Sequence, residues 1–277
     1  MNNVIVRSIL FWISLIGLVL IAATTIMPFF PIRNKDFTNG IIGSIIAFFC
    51  VWVFLKWDKS NFRQIGLNWD KKTLFRFFLG LFIGTIIMGL LCIGLIGFSE
   101  LQISRNPKGV TSAVAFGYLV FIPLALMEEL AFRSYPFVLI NRKYGMWTAQ
   151  LVTATAFALY HILIGWSVFS AFTGPFVMAF TFGLAAAWSG GIALPTGLHA
   201  ALNVLQVFFG MKGDEHSFFN LSYKEGLAQN LIDKTDTAGL ILQFLVLITG
   251  VIATAWYVRN KRNEQVIAGS AILSEIP

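Results

Sequence analysis

An all-α bundle of about eight helices, embedded in a bilayer, is the fold class that this sequence predicts. Three observations predict it. Of the 277 residues, 57% are hydrophobic and only 12% are charged, where soluble domains carry about 25% charged residues. The mean hydropathy is +0.77. The apolar residues also gather in runs of about 20, the length needed to cross the hydrocarbon core of a bilayer.

In chain order, these runs predict helices over residues 8–31, 40–56, 75–98, 111–135, 145–164, 167–188, 192–210 and 238–258. The first run is too long for the roughly 7–15-residue core of a cleaved signal peptide, so it reads as a retained first helix. Very short connections join the fifth, sixth and seventh helices, which leaves room for re-entrant pieces. The stretch "LKWDKSNFRQIGLNWDKKTLFR" is a basic loop whose Trp57, Trp69 and Phe75 suit a membrane interface. "MKGDEHSFFNLSYKEGLAQNLIDKTDT" is the long polar loop, and His216 within it reads as a surface residue. No repeat, low-complexity tract or appended soluble domain is visible, so residues 1–277 read as a single integral membrane domain.

The formal charge of +7 does not call for nucleic acid. In integral membrane proteins Lys and Arg gather in cytoplasmic loops, beside anionic lipid. With the N-terminus inside, Arg7, the cluster from Lys56 to Arg76, Arg142, Lys143, Arg259, Lys261 and Arg262 share the inner side. A multi-pass protein with both termini cytoplasmic is therefore expected. Cys50 and Cys92 stand isolated in apolar runs, which is neither a disulfide framework nor a zinc ribbon.

Against this background a few polar residues are out of place. A charged side chain at the bilayer centre costs roughly 2.5–3.5 kcal/mol on insertion scales. Yet "VAFGYLVFIPLALMEELAFRSYPFVLI" carries Glu128, Glu129 and Arg133, and His161 and His199 also lie in apolar segments. Five such groups on three expected helices point to one shared site. Glu129 and Arg133 are four residues apart and pair on one helical face. Glu128 is rotated by about 100° from Glu129 and is expected to face elsewhere, where burial would suit it to proton transfer near neutral pH.

Each of these signals has a plainer reading. The acidic–basic trio also fits a clamp between helices, and a lone histidine in an apolar helix also fits hydrogen-bonded packing. Phe157 stands one turn before His161, and His199 and Asn203 share one helical face, an arrangement that interhelical hydrogen bonding alone explains. One position conflicts with a shared site: His161 falls near the far end of its helix. A steep tilt, a shortened fifth helix or a re-entrant connection through "LIGWSVF" would bring it to Glu128 and His199.

Taken in order, "EELAFR" at 128–133, "FALYH" at 157–161 and "HAALN" at 199–203 resemble the CPBP family of intramembrane proteases. That family includes the type II CAAX prenyl endopeptidases and the bacteriocin-immunity Abi proteins. Its pattern reads EExxxR, FxxxH and HxxxN or HxxxD, and this chain matches it without departure over a core at about 110–210. The resemblance implies an endopeptidase that hydrolyses a peptide bond of a membrane-associated, CAAX-type protein or peptide. Glu128 would be the base that activates water, assisted by His161, while His199 and Asn203 would donate hydrogen bonds to the oxyanion. Glu129, Arg133 and Phe157 would support them.

The cofactor stays open on this reading. Glu128, His161 and His199 are the candidates for a divalent metal such as zinc, in a His₂Glu site with an open water position. The chain has no H-E-x-x-H, however, and a metal-free glutamate mechanism is also proposed for the family. The alternative function is a non-catalytic immunity or scaffold protein of the same fold. The expected setting is the plasma membrane of a bacterium, with lipid and a membrane-associated substrate as partners and no nucleic acid.

Overall fold

Backbone donors and acceptors have no water to bond in hydrocarbon, so a chain this apolar must satisfy them within helices. The computed structural model, which describes residues 3–30, 35–107, 116–213, 216–223 and 226–274, follows that rule. Its helices are α1 (Val4–Thr25), α2 (Lys35–Trp57), α3 (Thr73–Phe98), α4 (Phe121–Phe132), α5 (Tyr135–Tyr144), α6 (Met146–Leu163), α7 (Val168–Thr173), α8 (Pro175–Ser189), α9 (Ala193–Phe208) and α10 (Gln229–Ser274). Among the described residues, eight of these have twelve residues or more, in agreement with the expected all-α bundle of about eight helices. Pro31 and residues 111–115, which belong to the expected first and fourth helices, lie outside the described residues.

Two expected helices are broken. The run expected over 111–135 ends as α4 at Phe132, and α5 begins at Tyr135. Pro136 has no N–H, and its ring would meet the carbonyl of Phe132 if the helix continued. Pro175 divides the run 167–188 in the same way, into α7 and α8. A third departure adds structure: β1 (Leu101–Arg105) and β2 (Phe219–Tyr223) pair antiparallel, from Leu101 opposite Tyr223 to Arg105 opposite Phe219.

Among the described residues, five segments are long and apolar enough to cross a membrane: Val4–Phe29, Phe37–Trp57, Thr73–Phe98, Val168–Ser189 and Gln229–Glu264. The expectation of eight spans narrows accordingly. At 1.5 Å per residue the 12-residue α4 is about 18 Å long, well short of the roughly 30 Å hydrocarbon core. Together with α6 and α9 it carries the motif residues. Inner helices thus hold the polar groups, and longer apolar ones supply most of the spanning length.

Backbone-close packing sets α9 against α3. A Cβ on Gly80 would lie 2.1 Å from the carbonyl oxygen of Leu194, and one on Gly197 would lie 2.0 Å from that of Phe77. Small residues that let helices approach this closely are a membrane-packing device. Here they fix the helix that carries His199.

One end of the bundle collects the basic residues. Arg7 of α1 forms an ion pair with Asp58, just beyond α2. The hydroxyl of Tyr135 on α5 donates to the same Asp58 at 2.7 Å. Arg142 donates to the Gln64 carbonyl, and Val258 of α10 packs beside Val4 and Met146.

Candidate active site

The site is built on the last turn of α4, where a helix ends inside the protein. Such an end leaves carbonyls without intrahelical partners. Trp12 Nε1 donates to the Ala131 carbonyl at 3.0 Å, the Ser134 hydroxyl donates to that of Leu130, and the Arg133 N–H donates to that of Glu129 at 2.9 Å. The break is therefore sealed by side chains from α1 and from the connection itself.

Across that turn, Glu129 is 0% exposed and Arg133 1%. Arg133 Nε stands 3.5 Å from Glu129 Oε2, a single ionic contact of the expected i,i+4 pair. The guanidinium carbon lies 4.3 Å from the Phe157 ring centroid and 5.1 Å from that of Phe182. Desolvated cation–π contacts of this kind contribute about 2 kcal/mol. Phe157, expected only as support, is thus a wall of the charge site.

His199 of α9 joins the two glutamates. Its Nδ1–H donates to Glu129 Oε1 at 2.8 Å, while Nε2 faces Glu128 Oε2 at 3.5 Å. The ring stacks on Phe182, with centroids 4.4 Å apart. Glu128 and Glu129, expected to face different ways from one helix, both reach this ring. Their carboxylates leave α4 in different directions but meet two different nitrogens of one imidazole. His161 lies at the end of α6, where Nδ1–H donates to the Phe157 carbonyl at 2.9 Å, so the neutral ring keeps its lone pair on Nε2. The Phe157 ring is 4.6 Å from the His161 ring and 6.0 Å from the His199 ring. One phenyl group therefore spaces both histidines.

Asn203 stands one turn beyond His199, and its Oδ1 accepts from Lys212 Nζ at 3.0 Å. Lys212 was not singled out from the sequence, where it sits in the polar loop. The chain turns back after α9, with Met211 N–H donating to the Gln206 carbonyl at 2.8 Å, and this turn carries the lysine to Asn203. The last helix begins at Gln229 rather than at 238, which brings Thr235 and Asp236 to the same place.

Glu128, His161, His199 and Asn203 all line one cavity of about 1070 Å³, with Lys212 and Asp236. His161 stands near the end of α6, as expected, and still lines this cavity with Glu128 and His199. A second, apolar cavity of about 680 Å³ lies between α1, α4 and α6, and Met127, Glu128, Tyr160 and Ile164 line both. The expected metal candidates do not form a ligand cluster: among the described residues, no group of three or more His, Cys, Asp and Glu is arranged to hold a metal ion.

Comparison with known proteins agrees with the motifs. Residues 110–205 match the Rce1-like family, the type II CAAX prenyl endopeptidases. The matched stretch runs from before Glu128 to just past Asn203, and so contains all three motifs. The long apolar helices are in keeping with that match. No curated protein matches the chain.

Arg133→Met isolates the charge balance of this site. Removing one partner of a buried ion pair costs about 3–5 kcal/mol, so thermal unfolding in detergent should show a large loss of stability. Adding Glu129→Gln should recover part of it. A single variant as stable as the parent would mean that Glu129 does not depend on Arg133.

Proposed function

We propose that the protein is an intramembrane endopeptidase that hydrolyses a peptide bond of a membrane-associated substrate with water activated by Glu128 and His161. The observation that carries this reading is the convergence of Glu128, His161, His199 and Asn203, from three helices, on one cavity. The core at about 110–210 is the catalytic unit, and no step is routed through a metal.

Amide hydrolysis needs a base, a water and donors for the developing oxyanion. The Glu128 carboxylate takes a proton from water as the water oxygen bonds to the substrate carbonyl carbon. The lone pair on His161 Nε2 offers a second acceptor to that water. The carbonyl oxygen becomes the oxyanion, and the Asn203 NH₂ group, its Oδ1 held by Lys212, donates to it. As the C–N bond breaks, Glu128 returns the proton to the leaving amine. With its ring nitrogens turned to Glu129 and Glu128, His199 serves first as the brace of the base. Its expected role as oxyanion donor is secondary in this geometry.

The apolar cavity on the other side of Glu128 favours a lipidated, CAAX-type substrate over a bare peptide. A hydrocarbon chain there would lie beside the base, with the peptide in the polar cavity. The gathering of Arg7, Arg142 and the start of α1 at one end supports a cytoplasmic placement of that end, with both termini inside.

Membrane peptidomes of cells with the parent and with Glu128→Gln protein test the reading. The parent should release fragments that the variant does not, and an isoprenylated peptide should be cleaved with a lower KM than its unmodified form. Equal peptidomes, with the cellular phenotype intact in the variant, would instead support a non-catalytic immunity or scaffold role.

Orientation has its own check. Single cysteines near Gly226 and Asn263, in a background lacking Cys50 and Cys92, should be labelled by an impermeant thiol reagent at Gly226 only. Labelling at Asn263 in intact cells would reverse the topology.

A further inference from the structure

An ammonium group donates hydrogen bonds and accepts none. Where it meets a side-chain amide, the amide oxygen must therefore face it and the NH₂ group must face away. That is the arrangement at Asn203: Lys212 Nζ lies 3.0 Å from Oδ1, and both residues line the polar cavity. Lys212 also lies 5.7 Å from the Phe121 ring, so α4 holds its other side. The charges add a second argument. The cavity lining carries the carboxylates of Glu128 and Asp236, and Lys212 supplies a cation on the same lining.

We propose that Lys212 is a positioning residue: it locks the Asn203 amide with its NH₂ group toward the reacting carbonyl and polarises that group as a donor. The inference rests on the reading of Asn203 as oxyanion donor. A hydrogen bond from a charged group is stronger than a neutral one, and hydrogen bonds in series strengthen each other. Lys212 thus acts through Asn203, without contact to substrate.

Two measurements test it, one of them independent of activity. In protein labelled with ¹⁵N at asparagine side chains, the Asn203 NH₂ signals are assigned by their loss in Asn203→Ala. They should shift in Lys212→Met and stay near their parental positions in Lys212→Arg. Signals that do not move in Lys212→Met overturn the proposal, whether or not the protein proves to be a peptidase.

The second measurement is cleavage of an isoprenylated fluorogenic peptide by purified protein in liposomes. Removing an oxyanion donor costs roughly 10²–10³ in kcat, which is the loss expected for Asn203→Ala. Lys212→Met should lower kcat by about tenfold, a part of that donor effect, with KM little changed, and Lys212→Arg should recover most of the rate. The double variant should be no slower than Asn203→Ala alone, since coupled residues are not additive. Losses that multiply, or a rise in KM with kcat unchanged, would mean that Lys212 meets the substrate itself. If Lys212→Met is poorly folded, Lys212→Gln keeps a donor without the charge and should fall between the parent and the alanine variant of Asn203. Cleavage that persists in Glu128→Gln would defeat the proposed function and leave the NH₂ shifts to decide the role of Lys212.

Discussion

A guanidinium and a carboxylate, both almost wholly withdrawn from solvent, set the terms for the rest of this bundle. An uncompensated charge among apolar helices is too costly to keep, so the surrounding elements are arranged around Arg133 and Glu129. The faces of Phe157 and Phe182 cover the guanidinium, and His199 takes the second oxygen of the carboxylate. Each of these contacts comes from a different helix. The pair thereby ties α4 to α6, α8 and α9, and the elements that bury a charge are the ones that line the cavity.

This pairing also explains why Glu128 is available. Its neighbour Glu129 is committed to Arg133 and His199, while Glu128 is left at the boundary of two cavities, one polar and one apolar. The close contact of α3 and α9 through Gly80 and Gly197 then holds His199 against it. Stability and the proposed chemistry rest on the same few contacts.

The sequence made some of this legible and concealed the rest for physical reasons. The pairing of Glu129 with Arg133 follows from helical periodicity alone, and three of the out-of-place polar residues, Glu128, His161 and His199, line the cavity. The helix breaks at Ser134 and Gly174 were hidden because the apolar runs continue through them. Pro136 and Pro175 were the signals available. The β1–β2 pairing joins segments more than a hundred residues apart, and no local pattern announces it. Lys212 was invisible because its role depends on a turn after α9 that its neighbours in the chain do not specify.

The central claim is that water, activated at Glu128, attacks the substrate carbonyl directly. Single-turnover cleavage in ¹⁸O-labelled water, followed by mass spectrometry of product and acid-quenched enzyme, tests it most directly. The account predicts one ¹⁸O in the newly formed carboxylate and an enzyme of unchanged mass throughout. A transient enzyme adduct carrying the acyl fragment, or ¹⁸O retained in the peptide that contains Glu128, would contradict it.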